Sequence, residues 1–150
     1  MKPAPKGWPR ISSSIYYRDA GKMIDWLCEA FEFEVKLKVK GDSGRIEHSE
    51  LIYGEGMIMV GEERFGKASR WGVDLKSPLS LAGANTQGLM LYVDDVDAHC
   101  AHARAAGAMV VDEPAMHDYG AEYWADKSYG ALDPEGHFWW FTQRVRDPHG

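Results

Sequence analysis

Long apolar runs are absent from this chain. No window approaches the roughly 18 uninterrupted apolar residues that a membrane span requires, and the N-terminal MKPAPKGWPR has no apolar centre of the kind a signal peptide carries. A cytoplasmic protein with no membrane partner is therefore expected. Cysteine is scarce as well. Cys28 and Cys100 fall inside helical patterns with no C-x-x-C spacing, so they read as reduced core residues and not as a disulfide framework. Basic charge is also in short supply: 17 Lys and Arg are scattered among 23 Asp and Glu, for a net charge of −6. That balance argues against a phosphate-tracking surface and a nucleic-acid partner, and favours a neutral or cationic small molecule.

The chain does have a strongly patterned set of short elements. Its 150 residues, 45% hydrophobic and 27% charged, suit one compact domain or two small modules fused around a shared sheet. ISSSIYY at 11–17 reads as a strand that stops before Asp19, whose carboxylate can cap a helix opening at Ala20. Met23, Trp26, Leu27, Ala30 and Phe31 then recur at helical spacing. FEFEVKLKVKG alternates strictly, which predicts a half-exposed strand with Phe33, Val35, Leu37 and Val39 on one side and Glu34, Lys36, Lys38 and Lys40 on the other. RIEHSELIY and MIMVG supply two further strands between the turns GDSG and GEG.

The same order then repeats. QGLMLYV at 87–93 is a strand, Asp94 and Asp95 are capping candidates, and Val96, Cys100 and Ala103 line one side of a helix that ends near Gly107. The offset separating Asp19 from Asp95 also pairs Ile15 with Leu91, Tyr16 with Tyr92 and Tyr17 with Val93. AMVVDEP, the stretch around EYWADKSYGAL, and HFWWF are three more strands. The expected organisation is an α+β fold of two β-α-β-β-β modules, about residues 10–62 and 86–143, joined by a Gly- and Ser-rich linker at about 63–85. Each module then has a sheet with a helix on one face only. The uncovered faces are expected to be buried against each other or to enclose a cleft.

These residues resemble the vicinal oxygen chelate superfamily, the glyoxalase/bleomycin resistance/dioxygenase fold, from about Arg10 to Phe141. The resemblance is carried by YYRDAGKMIDWLCEAFEFE and HSELIYGEGMIMVG in the first module, and by LYVDDVDAHCAHARAAGA and DPEGHFWWF in the second. It is strongest to the glyoxalase-like branch without assigned chemistry. It implies mixed, mostly antiparallel sheets and a homodimer. Glu32 stands where the family usually has glycine after the helix, which predicts a distorted turn.

Metal-dependent members of that family place a His or Gln on the first strand, a His on the fifth, and carboxylates late in the fourth and eighth. In this sequence those positions fall at Ser12, Gly88, Met59 or a neighbour, and Trp140, none of which suits a hard or borderline cation. The resemblance with strand parity puts Ser12, Ser14, Tyr16, Gly88, Met90, Tyr92, Phe138 and Trp140 on the cleft side. Ile15, Tyr17, Leu89, Leu91, Val93, Trp139 and Phe141 then face the helices.

Among single residues, His137 after the Asp-Pro-Glu-Gly turn is expected to serve a structural hydrogen bond. His99 and His102 share a zinc-compatible spacing but have no third ligand nearby, which predicts a solvated or half-buried helix face. His48 and Glu50 lie on the same strand face, close enough to exchange a proton or orient a ligand. Trp124 and Trp71 sit where a loop could cover a site, with MHDYGAEYW at 116–124 as the candidate loop.

The expected function is binding of a small aromatic or cationic organic molecule. No metal or other cofactor is expected, and the ligand set is Ser14, Tyr16, Met59, Met90, Tyr92, Trp124, Phe138 and Trp140. The alternative is a lyase, isomerase or dioxygenase-type enzyme that uses a divalent metal or the His48/Glu50 pair.

Overall fold

The computed structural model describes residues 1–149 and has the two expected β-α-β-β-β modules in an α+β architecture. The first comprises β1 (Ser13–Tyr17), α1 (Ala20–Phe31), β2 (Glu34–Lys40), β3 (Ile46–Tyr53) and β4 (Gly56–Glu62). Its sheet runs in the order β1-β4-β3-β2, with β1 parallel to β4 and the other pairs antiparallel. The second comprises β5 (Gly88–Tyr92), α2 (Val96–Ala105), β6 (Met109–Asp118), β7 (Ala125–Leu132) and β8 (Phe138–Arg146). It repeats the pattern in the order β5-β8-β7-β6.

The chain divides into compact units at residues 82 and 83, so most of the expected linker belongs with the first module. Hydrogen bonds hold it there. The Arg18 guanidinium donates to Ser80 Oγ at 3.1 Å and to the Leu79 carbonyl at 3.0 Å, while Glu63 accepts from the Ser77 amide at 3.0 Å.

Both helices start on their acidic caps. Asp19 accepts from the Lys22 amide at 3.1 Å, and Asp95, not Asp94, accepts from the Ala98 amide at 3.0 Å. Helix α1 buries Met23, Ile24, Leu27, Ala30 and Phe31, and the sheet beneath contributes Ile15, Tyr17, Leu51 and Val60 to the same core. Each such large side chain contributes about 1.5–3 kcal/mol on leaving water. After α1 the turn is not distorted. Glu32 itself takes the left-handed conformation (φ 64°) usually left to glycine, and the Phe33 amide reaches back to the Leu27 carbonyl at 3.4 Å.

Three expectations about local structure are corrected. The apolar row of β2 is split by a register shift between Val35 and Leu37, which makes Lys36 an extra residue. Leu37 and Val39 therefore pair with Glu50 and His48, on the face away from α1, while Lys38 pairs with Ser49 and reaches Asp25 of the helix at 3.8 Å. Strand β6 does not stop near Pro114. It runs on to Asp118, absorbing the proline in an irregularity between Asp112 and Ala115, so the expected loop shrinks to a hairpin turn closed by Tyr119 and Trp124.

His99, finally, is neither solvated nor half-buried: it is 6% exposed within the α2 row Val96, Cys100 and Ala103. Its Nδ1 lies 2.6 Å from the Tyr129 hydroxyl and its ring 4.3 Å from that of Phe141. A polar partner from the sheet makes this burial tolerable.

Candidate functional site

The alternation of β8 sorts its aromatics. Trp139 and Phe141 are fully buried, while Trp140 is 37% exposed, so the helix side and the open side are as the parity predicts. Met90 lies beside Trp140 and Gly88 beside Phe138 across the parallel β5/β8 pair. Gly130 lies beside Trp140 on the other flank. The rings of Phe138 and Trp140 stack, with centroids 5.7 Å apart and planes at 28°.

This stack requires its glycine neighbours. A Cβ on Gly88 would stand 2.8 Å from Cζ3 of Trp140 and 3.0 Å from Cδ1 of Phe138, and one on Gly130 would stand 3.1 Å from Cε2 of Phe138. The two rings thus lie down over flanking strands that offer no side chain, forming a flat aromatic platform.

Further along the same face, Tyr92 and Trp124 flank Arg144, a residue the sequence reading missed. Its guanidinium carbon is 5.5 Å from the Tyr92 ring centre and 5.7 Å from that of Trp124. Asp126 holds Nε at 2.7 Å, Asp147 accepts at 3.0 Å, and the Tyr92 hydroxyl accepts at 2.8 Å. These hydrogen bonds, with Asp126 foremost, push the guanidinium pKa above its already high range. The signal was present: Phe138, Trp140, Thr142 and Arg144 continue one alternation past the aromatic run.

The remaining candidates gather on the open face of the first module. Ser14, Met59, Glu50 and Leu37 form one row across its four strands. The Tyr16 ring lies over Gly61, 3.8 Å from where a Cβ would be. His48 and Glu50 share this face and touch, Nε2 to Oε1 at 3.2 Å. Two unexpected residues complete the group. The Trp8 indole donates to Glu50 Oε1 at 3.2 Å, and Lys36 Nζ stands 3.4 Å from the centre of the Trp8 ring.

Trp71 is exposed in the segment after β4, beside Arg70 at 4.8 Å. His137 is held through its backbone, its amide donating to Asp133 Oδ1 at 3.1 Å. Among the described residues no three His, Cys, Asp or Glu side chains converge as a metal set, and no helix is long and apolar enough to cross a membrane.

Paired β-α-β-β-β modules, each with a helix on one side of a mixed four-stranded sheet, define the class of vicinal-oxygen-chelate-type proteins. The model of the Glyoxalase/Bleomycin resistance protein/Dioxygenase superfamily matches residues 10–141, and the chain belongs to that family. It is 31% identical over 139 residues to an uncharacterized protein of Mycobacterium bovis, covering 93% of this chain and 86% of that one. Among solved structures it is similar to TioX from Micromonospora sp. ML1, with 27% identity, a TM-score of 0.65, and 90% and 95% of the two chains covered. It is also similar to TnmS3 from Streptomyces sp. CB03234, an antibiotic binding protein, with 20% identity, a TM-score of 0.59, and 89% and 93% covered.

Proposed function

We propose that the protein binds a small planar aromatic molecule on the Phe138–Trp140 platform without a metal, and so sequesters it. The observation that carries this reading is the relation of Gly88 to Trp140. The indole occupies the space that a side chain at 88 would need, and positions 12, 59, 88 and 140 carry Ser, Met, Gly and Trp. These are the positions that the family resemblance gives to metal ligands, and none of the four side chains offers the imidazole or carboxylate group that a divalent ion needs.

A ligand laid on the platform would gain stacking contact with two rings, and Tyr92 and Trp124 would border it. Arg144 is already neutralised by Asp126 and Asp147, so it serves to fix the Tyr92 hydroxyl and not to attract an anion. Sequestration needs only affinity, which exposed stacked aromatics can supply. TnmS3 binds an antibiotic, but at 20% identity it shares the fold and the ligand reading rests on the platform. The same reading takes the protein as cytoplasmic and homodimeric.

The test is a screen of planar aromatic compounds by intrinsic Trp fluorescence, repeated on Trp140→Glu. Retention of every hit by the variant would remove the proposal. A second reading, acid–base catalysis, is favoured by one observation, the contact between His48 Nε2 and the buried Glu50 carboxylate. Turnover of a screened compound that stops in His48→Gln would select it.

A further inference from the structure

Three arginines, Arg18, Arg45 and Arg64, line a cavity of about 510 Å³ at the end of the first sheet where β1 and β4 finish and β3 begins. Its volume is that of a small-molecule site. Two of its lining residues belong to the helix side: Ile46 lies 4.0 Å from where a Cβ on Gly21 would be, and Glu62 accepts from the Ala20 amide at 3.3 Å. Ser14, Met59 and Glu50, on the open sheet face, take no part in it.

The cavity also holds Glu47, Glu62 and Glu63, and two of these carboxylates are already committed. Glu62 accepts from the Ile46 amide at 3.4 Å as well, while Glu63 accepts from the Ser77 amide at 3.0 Å and the Ser80 hydroxyl at 2.8 Å and stands 3.7 Å from Arg18 Nε. Two of the guanidinium groups are not. Arg64 spends one N–H on the Glu47 carbonyl at 3.0 Å, the Arg45 side chain bonds to none of the described residues, and neither has a carboxylate partner among them. Glu47, the remaining acid, is exposed and lays its carboxylate over Gly41, where a Cβ would collide with it. Charged donors are thus in local surplus within a chain that is acidic as a whole.

We propose that this cavity is a second small-molecule site, built around Arg45 and Arg64, that takes an organic monocarboxylate with an apolar body. The planar guanidinium fork matches a carboxylate in shape and charge, and Ile46, Phe65 and Ala68 border the apolar part. A single negative charge is selected. Glu47 and Glu62 oppose the second charge of a phosphate monoester, whereas a neutral amide forgoes the charge-assisted hydrogen bonds altogether. The inference does not depend on the aromatic platform.

The experiment is calorimetric titration of the full chain at low ionic strength and about pH 8, where a phosphate monoester is doubly charged. The probes are cyclohexanecarboxylate, cyclohexanecarboxamide and cyclohexyl phosphate, whose rings are not planar and do not stack on aromatics. The carboxylate should bind saturably, and the amide and the phosphate should each bind about tenfold more weakly or worse. Arg45→Gln, which removes no bond among the described residues, should weaken the carboxylate by about tenfold while leaving planar aromatic hits in the fluorescence screen unchanged. Arg64→Gln should weaken it likewise, and the Arg45 result stands even if that variant fails to fold. Glu47→Gln should narrow the gap between phosphate and carboxylate. Absence of saturable carboxylate binding, equal binding of carboxylate and amide, phosphate binding as tight as carboxylate in the wild type, an unchanged carboxylate affinity in Arg45→Gln, or an unnarrowed gap in Glu47→Gln would each overturn the proposal.

Discussion

The indole nitrogen of Trp139 donates to Asp133 Oδ2 at 3.0 Å, and both residues are buried. The other oxygen of Asp133 accepts from the amides of Glu135 and His137 at 3.0 and 3.1 Å. One carboxylate thus sets the turn before β8 and anchors the helix-side tryptophan, which fixes the opposite direction of Trp140. Asp133→Ala takes an acceptor from three N–H groups and should cost about 3 kcal/mol or more. Urea midpoints read at constant slope check this; a loss under about 1 kcal/mol would show the turn to be held by other means.

Gly88→Ala places a methyl group 2.8 Å from Trp140 and 3.0 Å from Phe138. The platform rings must lift, so Trp140 fluorescence should change and aromatic ligands should weaken. In a double-mutant cycle the effects of Gly88→Ala and Trp140→Ala on stability should be coupled by about 0.5–3 kcal/mol, since the clash vanishes with the ring.

Trp140→Glu introduces a carboxylate at the position where the family resemblance implies one in metal-dependent members. Binding of flat aromatics should fall by about 1–3 kcal/mol with the fold retained. Elemental analysis after dialysis against Zn²⁺, Ni²⁺ or Mn²⁺ should still find no stoichiometric ion, since Ser12, Met59 and Gly88 add no good ligand. Trp139→Ala should instead cost about 3–5 kcal/mol of stability, as for a fully buried ring.

Acid should act through Glu50. Burial is the largest influence and pushes its carboxyl up. Hydrogen bonds from His48 and Trp8, together with the charge of Lys36, outweigh burial and hold it below the ordinary 4.5. A folded-state pKa below the unfolded one contributes stability above the ordinary value and loses it as pH falls through the folded value. Denaturation from about pH 7 to about pH 3 should therefore show a steeper loss below the ordinary carboxylate range in the wild type than in Glu50→Gln.

Strand β6 ends the second sheet on one side and exposes Met109, Val111 and Met116. An apolar edge of this kind is a surface that native proteins cover. Light scattering at micromolar concentration should report a dimer, and Val111→Lys should shift it toward monomer if this edge takes part.

The two modules were legible because the order of strand, acidic cap and helix occurs twice, at Asp19 and at Asp95, with short strands bounded by turns after each helix. The direction of Trp140 followed from the alternation of β8. The bulge at Lys36 was not legible, since neither glycine nor proline marks it and FEFEVKLKVKG alternates without a break. Arg144 and Asp126 are far apart in sequence and meet only through the β7/β8 register. Trp8 lies in a segment with no period at all, so its bond to Glu50 had no local signal. His99 escaped because its burial depends on Tyr129, which only the packing of α2 on the sheet brings within reach.

Glu32, held left-handed after α1, has a bearing on directed evolution. A non-glycine residue in that conformation is disfavoured by about 1–2 kcal/mol, part of which glycine would return as extra freedom in the unfolded chain. Glu32→Gly should leave a net gain of about 0.5–1 kcal/mol. This chain's stability is therefore expected to have room to rise at a position remote in sequence from the platform. A library that reshapes Phe138, Trp140 and Tyr92 for new ligands would tolerate more members on the Glu32→Gly background than on the parent.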